Sequence, residues 1–375
     1  MKIIAALDSF KGSLTSLEAG EACAAGIRSV LSSAEVRVVP VADGGEGTVE
    51  ALTAALKGRF QECIVRGPLG EPVTAVYGIS ADGRTAVMEM SQASGLTLVP
   101  EKERNPLRTS TYGTAEMIVD ALRRGCRHII MGIGGSATVD GGTGMMSALG
   151  VRFLDAQGRG LEGCGGNLDR IMSIDASGLD EALHGCRFSV ACDVSNPLTG
   201  ENGAARIFGP QKGASPSMVE ELEKGMCNYA RVLNTYAGCD VASLSGAGAA
   251  GGVGAAMTAF LGAGLLPGAE LMLDAIGFDR IIAGADLIIT GEGRLDGQTL
   301  MGKTPFGILR AANKHNIPVT AVGGSVENRD ALLNSGFAGV YSVTPEGMSI
   351  EEAMIPEVAK ANVARACAEI VALNY

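Results

Sequence analysis

The two ends of the chain share one style of sequence, and the middle is written differently. Residues 1–60 alternate short apolar runs with helical spacing: KIIAAL, SLEAGEACAAGIRSVLSS, VRVVPVA and GTVEALTAALKG. Apolar runs of four to eight residues that alternate with segments of helical period indicate βαβ units and a parallel sheet. Thr15 is placed as the N-cap of the first helix. The last ninety or so residues repeat the style with ADLIIT, a helix around FGILRAANKHN, PVTAVGGS, a helix around NRDALLNSG, AGVYSVTP and a long terminal helix ending near Tyr375. The middle opens with CIVRGPLG, PVTAVYGIS and RTAVMEMS, three strand-like runs with short turns, as in an antiparallel meander. These patterns give an α/β fold: a flavodoxin- or Rossmann-like doubly wound parallel-sheet domain from residues 1–60 plus 285–375, interrupted by an inserted α/β domain of mixed sheet at 61–284. In such folds ligands sit at strand C-terminal ends and between domains, so the cleft between the two is the expected site.

Composition narrows the function. The 375 residues are 46% hydrophobic and 19% charged, which is a globular balance, and the net charge of −11 offers no footprint for nucleic acid or anionic lipid. The longest basic run is Arg123-Arg124. Nine scattered cysteines without a C-x-x-C, and three histidines far apart in sequence (His128, His184 and His315), give no zinc or disulfide framework and fit a reducing cytoplasm. Residues 241–269 carry no charge, but their Gly and Ala content indicates a loop feeding a buried helix rather than a membrane span.

Five loops carry the chemistry, each directly after a strand-like run: ALDSFKGS (6–13), ADGGEGT (42–48), GIGGSATVDGG (132–142), CDVSNPLTG (192–200) and TGEGRLDGQTLMGKT (290–304). Three of the five contain two or more glycines, and all contain glycine and carboxylates. Glycines let backbone N–H groups approach anionic oxygens. Carboxylates beside phosphates become sensible with Mg²⁺ between them, and Lys11, Arg294 and Lys303 supply cations for a transferring phosphoryl group. The combination argues for phosphoryl transfer. Two short motifs need separate reading. GIGGSA (132–137) fits G-x-G-x-x-A, with Asp155 about twenty residues on, so an NAD(P)-dependent hydroxy-acid dehydrogenase is the rival; Gly141, Gly142 and Gly144 interrupt the helix that fingerprint needs. GQTLMGKT (297–304) fits the P-loop pattern, but ADLIIT is read as a strand ending at Thr290, which leaves too long a loop for a P-loop off that strand.

The blocks DSFKGSL, VADGGEGTVEAL, TYGTAE, GIGGSATVDGG, CDVSNPL, IFGPQKGA, GAGAAGGVGAA and TGEGRLDGQTLMGKTP, in this order along almost the whole chain, resemble the type I glycerate kinase family. Val139, Thr143 and Leu7 depart from the family's pattern, Val139 standing where Asn is usual. The resemblance implies ATP- and Mg²⁺-dependent phosphorylation of D-glycerate, giving 2-phosphoglycerate, with 3-phosphoglycerate the other regiochemistry. On chemistry and these blocks together, Asp193, Lys11 and Arg294 are the catalytic candidates, with Asp193 as general base. Asp8, Ser9, Lys11, Asp43, Glu46 and Ser136 are candidates for substrate binding. Gly134, Gly135, Gly291, Glu292, Gly293 and Lys303 are candidates for the nucleotide, and Glu292 and Asp296 for the metal. The expected partner is a small molecule, with no nucleic acid and no membrane, and the expected assembly is a monomer or small homo-oligomer. A non-catalytic sensor of a small acid is the remaining class; the chain has no readable DNA-binding module to support it.

Overall fold

The computed structural model describes residues 1–45 and 47–374. Glu46 and Tyr375 lie outside the described residues. The chain divides into two compact units, Met1–Leu56 with Pro267–Tyr375, and Lys57–Leu266. Residues 267–284 thus belong with the first unit.

The first unit is built on a five-stranded sheet. Strand Lys2–Leu7 lies between Glu35–Val38 and Leu287–Leu295, and beyond the latter come Val319–Val326 and then Gly339–Ser342; every pairing is parallel. Side chains of a strand alternate between faces, and here both faces are covered. Ile3, Ala5 and Leu7 pack with helices Ser16–Val30 and Pro356–Asn374, while Ile4 and Ala6 pack with Ile308, Leu309 and Ala312 of helix Thr304–Asn313. This is why KIIAAL reads as a continuous apolar run. Helix Ser16–Val30 starts at a capping box: the Thr15 hydroxyl accepts from the Glu18 N–H, and the Glu18 carboxylate accepts from the Thr15 N–H.

The second unit carries a six-stranded mixed sheet. Arg59–Arg66, Pro72–Ile79 and Thr85–Glu89 form the antiparallel meander. The sheet then continues in parallel through His128–Gly132, Arg187–Ala191 and Gly264–Leu266. Arg152–Leu154 pairs instead with Ser173–Asp175 in a separate antiparallel ribbon. The uncharged stretch 241–269 resolves into glycine turns and the nine-residue helix Val253–Leu261. Among the described residues no helix is long and apolar enough to cross a membrane.

One reading is corrected. The strand that begins in ADLIIT does not end at Thr290; it runs to Leu295, with Glu292 opposite Gly323 and Arg294 opposite Ser325. At Gly291 the glycine is demanded by close packing between strands. A Cβ at Gly291 would lie 2.1 Å from the Val322 carbonyl oxygen.

Helices Ser16–Val30 and Pro356–Asn374 touch so closely at Gly26 that a Cβ there would lie 2.0 Å from the Ala364 carbonyl oxygen. Gly26→Ala is therefore expected to lower stability by about 1–3 kcal/mol through overpacking. Gly264→Ala, whose Cβ meets nothing within 4 Å, should stay within about 0.5 kcal/mol of wild type. Thermal or urea unfolding of the two variants checks the difference.

Candidate active site

In the first unit the parallel pairing sets Leu7 opposite Gly291, so the two strands deliver Asp8 and Glu292 at the same sheet edge. The Asp8 N–H donates to the Gly291 carbonyl at 2.8 Å. The Asp8 carboxylate accepts from the Ser9 N–H at 2.6 Å and from the Thr304 hydroxyl at 2.6 Å. Glu292 accepts from the Thr299 hydroxyl at 2.8 Å and pairs with the Lys303 ammonium at 3.2 Å. Asp43 accepts from the Gly45 N–H at 3.0 Å. Burial, then the charge of Asp43, pushes the Asp8 carboxyl up to about 7; Glu292 adds to the push, and Thr304 and Ser9 oppose it. Burial also raises Glu292, against the pull of Thr299 and Lys303.

These groups line a cavity of about 590 Å³ whose walls belong entirely to the first unit. Of the expected site residues it gathers Asp8, Ser9, Lys11, Asp43, Glu292, Gly293, Arg294 and Lys303. Lys11 is exposed and has no ion pair among the described residues. Arg294 is held between Glu327, at 2.9 Å, and Asp296, at 3.2 Å. Gly291 is inside the sheet and does not line the cavity, nor does Asp296, which accepts from the Gln298 N–H and pairs with Arg294. Glu46, another expected contact, lies outside the described residues.

GQTLMGKT sits directly after this strand. Because the strand reaches Leu295, no long loop separates it from Gly297. The string instead folds on itself through the 3-10 turn Thr299–Met301 and leads into helix Thr304–Asn313, with Pro305 in the first turn. Its Lys303 and Thr299 point to Glu292, and its Thr304 to Asp8.

In the second unit, Gly132 and Ala191 are partners on adjacent parallel strands, so the loop of Gly134, Gly135 and Ser136 and the exposed Asp193 leave the sheet at one edge. Gly135 has φ +70°, which favours glycine. The loop is pinned by Leu96 N–H to Gly135 O and by Ala137 N–H to Ser94 O, both at 2.8 Å. Beneath it the buried Lys212 ammonium donates to the Ser136 hydroxyl and the Thr138 carbonyl, both at 2.7 Å. Burial pushes Lys212 down to about 7, with Asp140 pulling it back. Asp140 is fully buried; burial raises it, and the N–H groups of Thr111, Gly142 and Gly144 and the Thr111 hydroxyl pull it down. Val139 is also fully buried and belongs to the apolar core.

This geometry does not support a dinucleotide fingerprint. The segment after GIGGSA turns at Gly141 and Gly142 before the six-residue helix Thr143–Ala148, and Asp155 serves its own turn through Gln157 and Arg159. Sequence reasoning missed Lys212, Thr299 and Thr304. All three lie in quoted blocks, where a lysine between Pro210 and Gly213 and two hydroxyls in GQTLMGKT were the available signals.

An acid raised from 3.8 to about 7 binds its proton more tightly in the folded chain. The stability it contributes is present below the unfolded value and is lost as pH rises through about 7. Urea midpoints of wild type and Asp8→Asn should therefore diverge between pH 4 and 8, wild type losing stability relative to the variant. A constant difference would remove the raised carboxyl.

Comparison with known proteins agrees across the whole chain. A family described as the glycerate kinase family matches residues 3–374. The chain is similar to a glycerate kinase of Bacillus subtilis (strain 168), 49% identical over 354 residues, covering 94% of this chain and 93% of the relative. It is also similar to a glycerate 2-kinase of Escherichia coli (strain K12), 48% identical over 373 residues, with 99% and 97% covered. Among solved structures, a crystal structure from Salmonella typhimurium LT2, assigned to a glycerate kinase 2, has a TM-score of 0.91 at 47% identity and covers 100% of this chain and 98% of its own.

Proposed function

The chain belongs to the glycerate kinase family and is an enzyme of the kinase class, and from that premise we propose that it transfers the γ-phosphoryl group of ATP to the 2-hydroxyl of D-glycerate. The observation that carries this reading is the first unit's cavity, where three carboxylates (Asp8, Asp43 and Glu292) share walls with three cations (Lys11, Arg294 and Lys303). A polyphosphate needs such cations. The choice of the 2-hydroxyl is supported by the Escherichia coli relative, a glycerate 2-kinase.

The carboxylates fit a divalent cation. Among the described residues there is no cluster of three or more side chains that would cage a metal by itself, and Mg²⁺ does not require one: it takes one or two carboxylates, with phosphate and water oxygens for the rest. One or two of Asp8, Asp43 and Glu292 would hold it; Asp296 is engaged in its own turn. When bound, the ion supplies charge neutralisation to the donor phosphates.

The residues divide the work as follows. Lys303 and the Gly293 backbone hold donor phosphates, and Lys11 and Arg294 neutralise charge on the transferring group. Ser9 binds substrate. Gly134, Gly135 and Ser136 present backbone N–H and hydroxyl groups to ligand oxygens, in a loop that Lys212 keeps in shape. Asp193 accepts the proton of the glycerate hydroxyl. The hydroxyl oxygen bonds to the γ-phosphorus, the bridging P–O bond breaks, and ADP leaves with that electron pair.

Incubation with ATP, Mg²⁺ and D-glycerate, followed by phosphorus NMR, is expected to show 2-phosphoglycerate, split as a doublet by its single carbinol proton. A triplet from a CH₂–O–P group would assign the 3-hydroxyl instead, and no phosphate ester would overturn the reading. Asp193→Asn should lower kcat by roughly 10²–10⁴-fold and leave the KM for ATP nearly unchanged. Turnover near wild type would remove Asp193 as the base.

A further inference from the structure

The cavity of the first unit is several times larger than a three-carbon acid requires, and its lining is of two kinds. One is the set of carboxylates and cations described above. The other is apolar, formed by Val343, by Ile350 and Ala353 of the short helix Ile350–Ala353, by Met354, and by Ala359 of helix Pro356–Asn374. Ile350 is 74% exposed and Met354 is 43% exposed, so two large apolar side chains line the cavity without being buried by the protein itself. A single polar side chain of the terminal helix joins them. Asn362 is one helical turn from Ala359 on the same face, lines the cavity, and is only 7% exposed. Its Nδ2 donates to the Met348 sulfur at 3.3 Å, a weak acceptor. Its Oδ1 has no hydrogen-bond partner among the described residues. Oδ1 is not one of the fully buried unpaired side-chain atoms, so it is open to a hydrogen-bond donor entering the cavity.

We infer that this apolar lining is the pocket for the purine base of the phosphoryl donor, and that Asn362 selects adenine by accepting a hydrogen bond from its 6-amino group. The inference rests on the kinase reading above and adds the base-binding site and the residue that reads it. A purine is flat, apolar on its faces and polar along its edge. The cavity offers the matching arrangement, aliphatic and thioether side chains with one amide. Because Met348 engages the Nδ2 side, the amide presents its carbonyl, which calls for a donor on the base. Adenine carries an amino group at position 6, whereas guanine has a carbonyl there that would face Oδ1 unfavourably.

The test uses nucleotide binding to the whole chain without glycerate, so that it does not depend on the acceptor substrate. Titration calorimetry with the non-hydrolysable analogue AMP-PNP should show binding to wild type, weakened at least tenfold in Asn362→Leu. The ligand-side partner is purine riboside triphosphate, which lacks the 6-amino group. Used as phosphoryl donor with wild type, it should have a KM at least tenfold above that of ATP, and Asn362→Leu should abolish the discrimination. Met354→Glu, in the apolar lining, should also weaken AMP-PNP binding at least tenfold, and thermal melts establish that both variants are folded. If AMP-PNP binds wild type and Asn362→Leu within twofold, or the variant still discriminates ATP from the purine analogue, the inference is overturned while the kinase reading stands. If wild type binds no adenine nucleotide, the ATP-dependent reading itself fails.

Discussion

The carboxylate site hangs on one parallel pairing, that of Lys2–Leu7 with Leu287–Leu295. These strands are separated by most of the chain, yet their register puts Leu7 opposite Gly291 and so brings Asp8 and Glu292 to one edge. A slip of one residue would turn each side chain to the opposite face and exchange Ile3, Ala5 and Leu7 with Ile4 and Ala6 in the two fitted core layers. The same pairing brings the helix that starts at Thr304 within reach of Asp8, whose carboxylate receives the Thr304 hydroxyl at 2.6 Å. Hydrophobic patterning thus sets the positions of charged groups that contribute little to the core themselves.

Much of this organisation was legible in the sequence, because it depends on local periodicity. The apolar runs at both ends became strands of a parallel sheet, the middle runs became an antiparallel meander, and Thr15 caps its helix. The misread strand end shows where local reasoning stops. GEGR looks like a loop because glycine and charge are poor strand formers. In the fold, Gly291 is needed because the neighbouring strand's backbone leaves no room for a Cβ, and Glu292 keeps its strand geometry with the support of Thr299 and Lys303. Lys212 was invisible for a related reason: its partners, Ser136 and Thr138, are more than seventy residues away. A lone lysine in a Gly-Pro turn carries no local mark of burial.

The two units hold their buried carboxylates in opposite ways, and the contrast bears on function. Asp140, in the second unit, is surrounded by donors: three backbone N–H groups and a hydroxyl converge on it, with Lys212 nearby. That network is complete within the protein, and it shapes the backbone around Gly141 and Gly142. Asp8 has two donors and faces two further carboxylates across the cavity. Moving a carboxyl from 3.8 to about 7 corresponds to on the order of 4 kcal/mol against its ionised form. That balance already includes the bonds from Ser9 and Thr304, which therefore do not cancel the burial and the repulsion together.

A cluster left in that state is stabilised by whatever brings positive charge to it. Lys303 answers Glu292 alone. Arg294 is already shared by Glu327 and Asp296, and Lys11 is exposed with no ion pair among the described residues. The cavity therefore contains negative charge that a cation would relieve and positive charge that an anion would engage, side by side on one set of strand ends. A metal–phosphate ligand presents both at once, and binding it lowers the cost of ionising Asp8 while giving Lys11 a partner. A small carboxylic acid alone would satisfy the cations and worsen the repulsion among Asp8, Asp43 and Glu292. The electrostatics of this cavity thus favour the phosphoryl donor with its cation over the acid by itself.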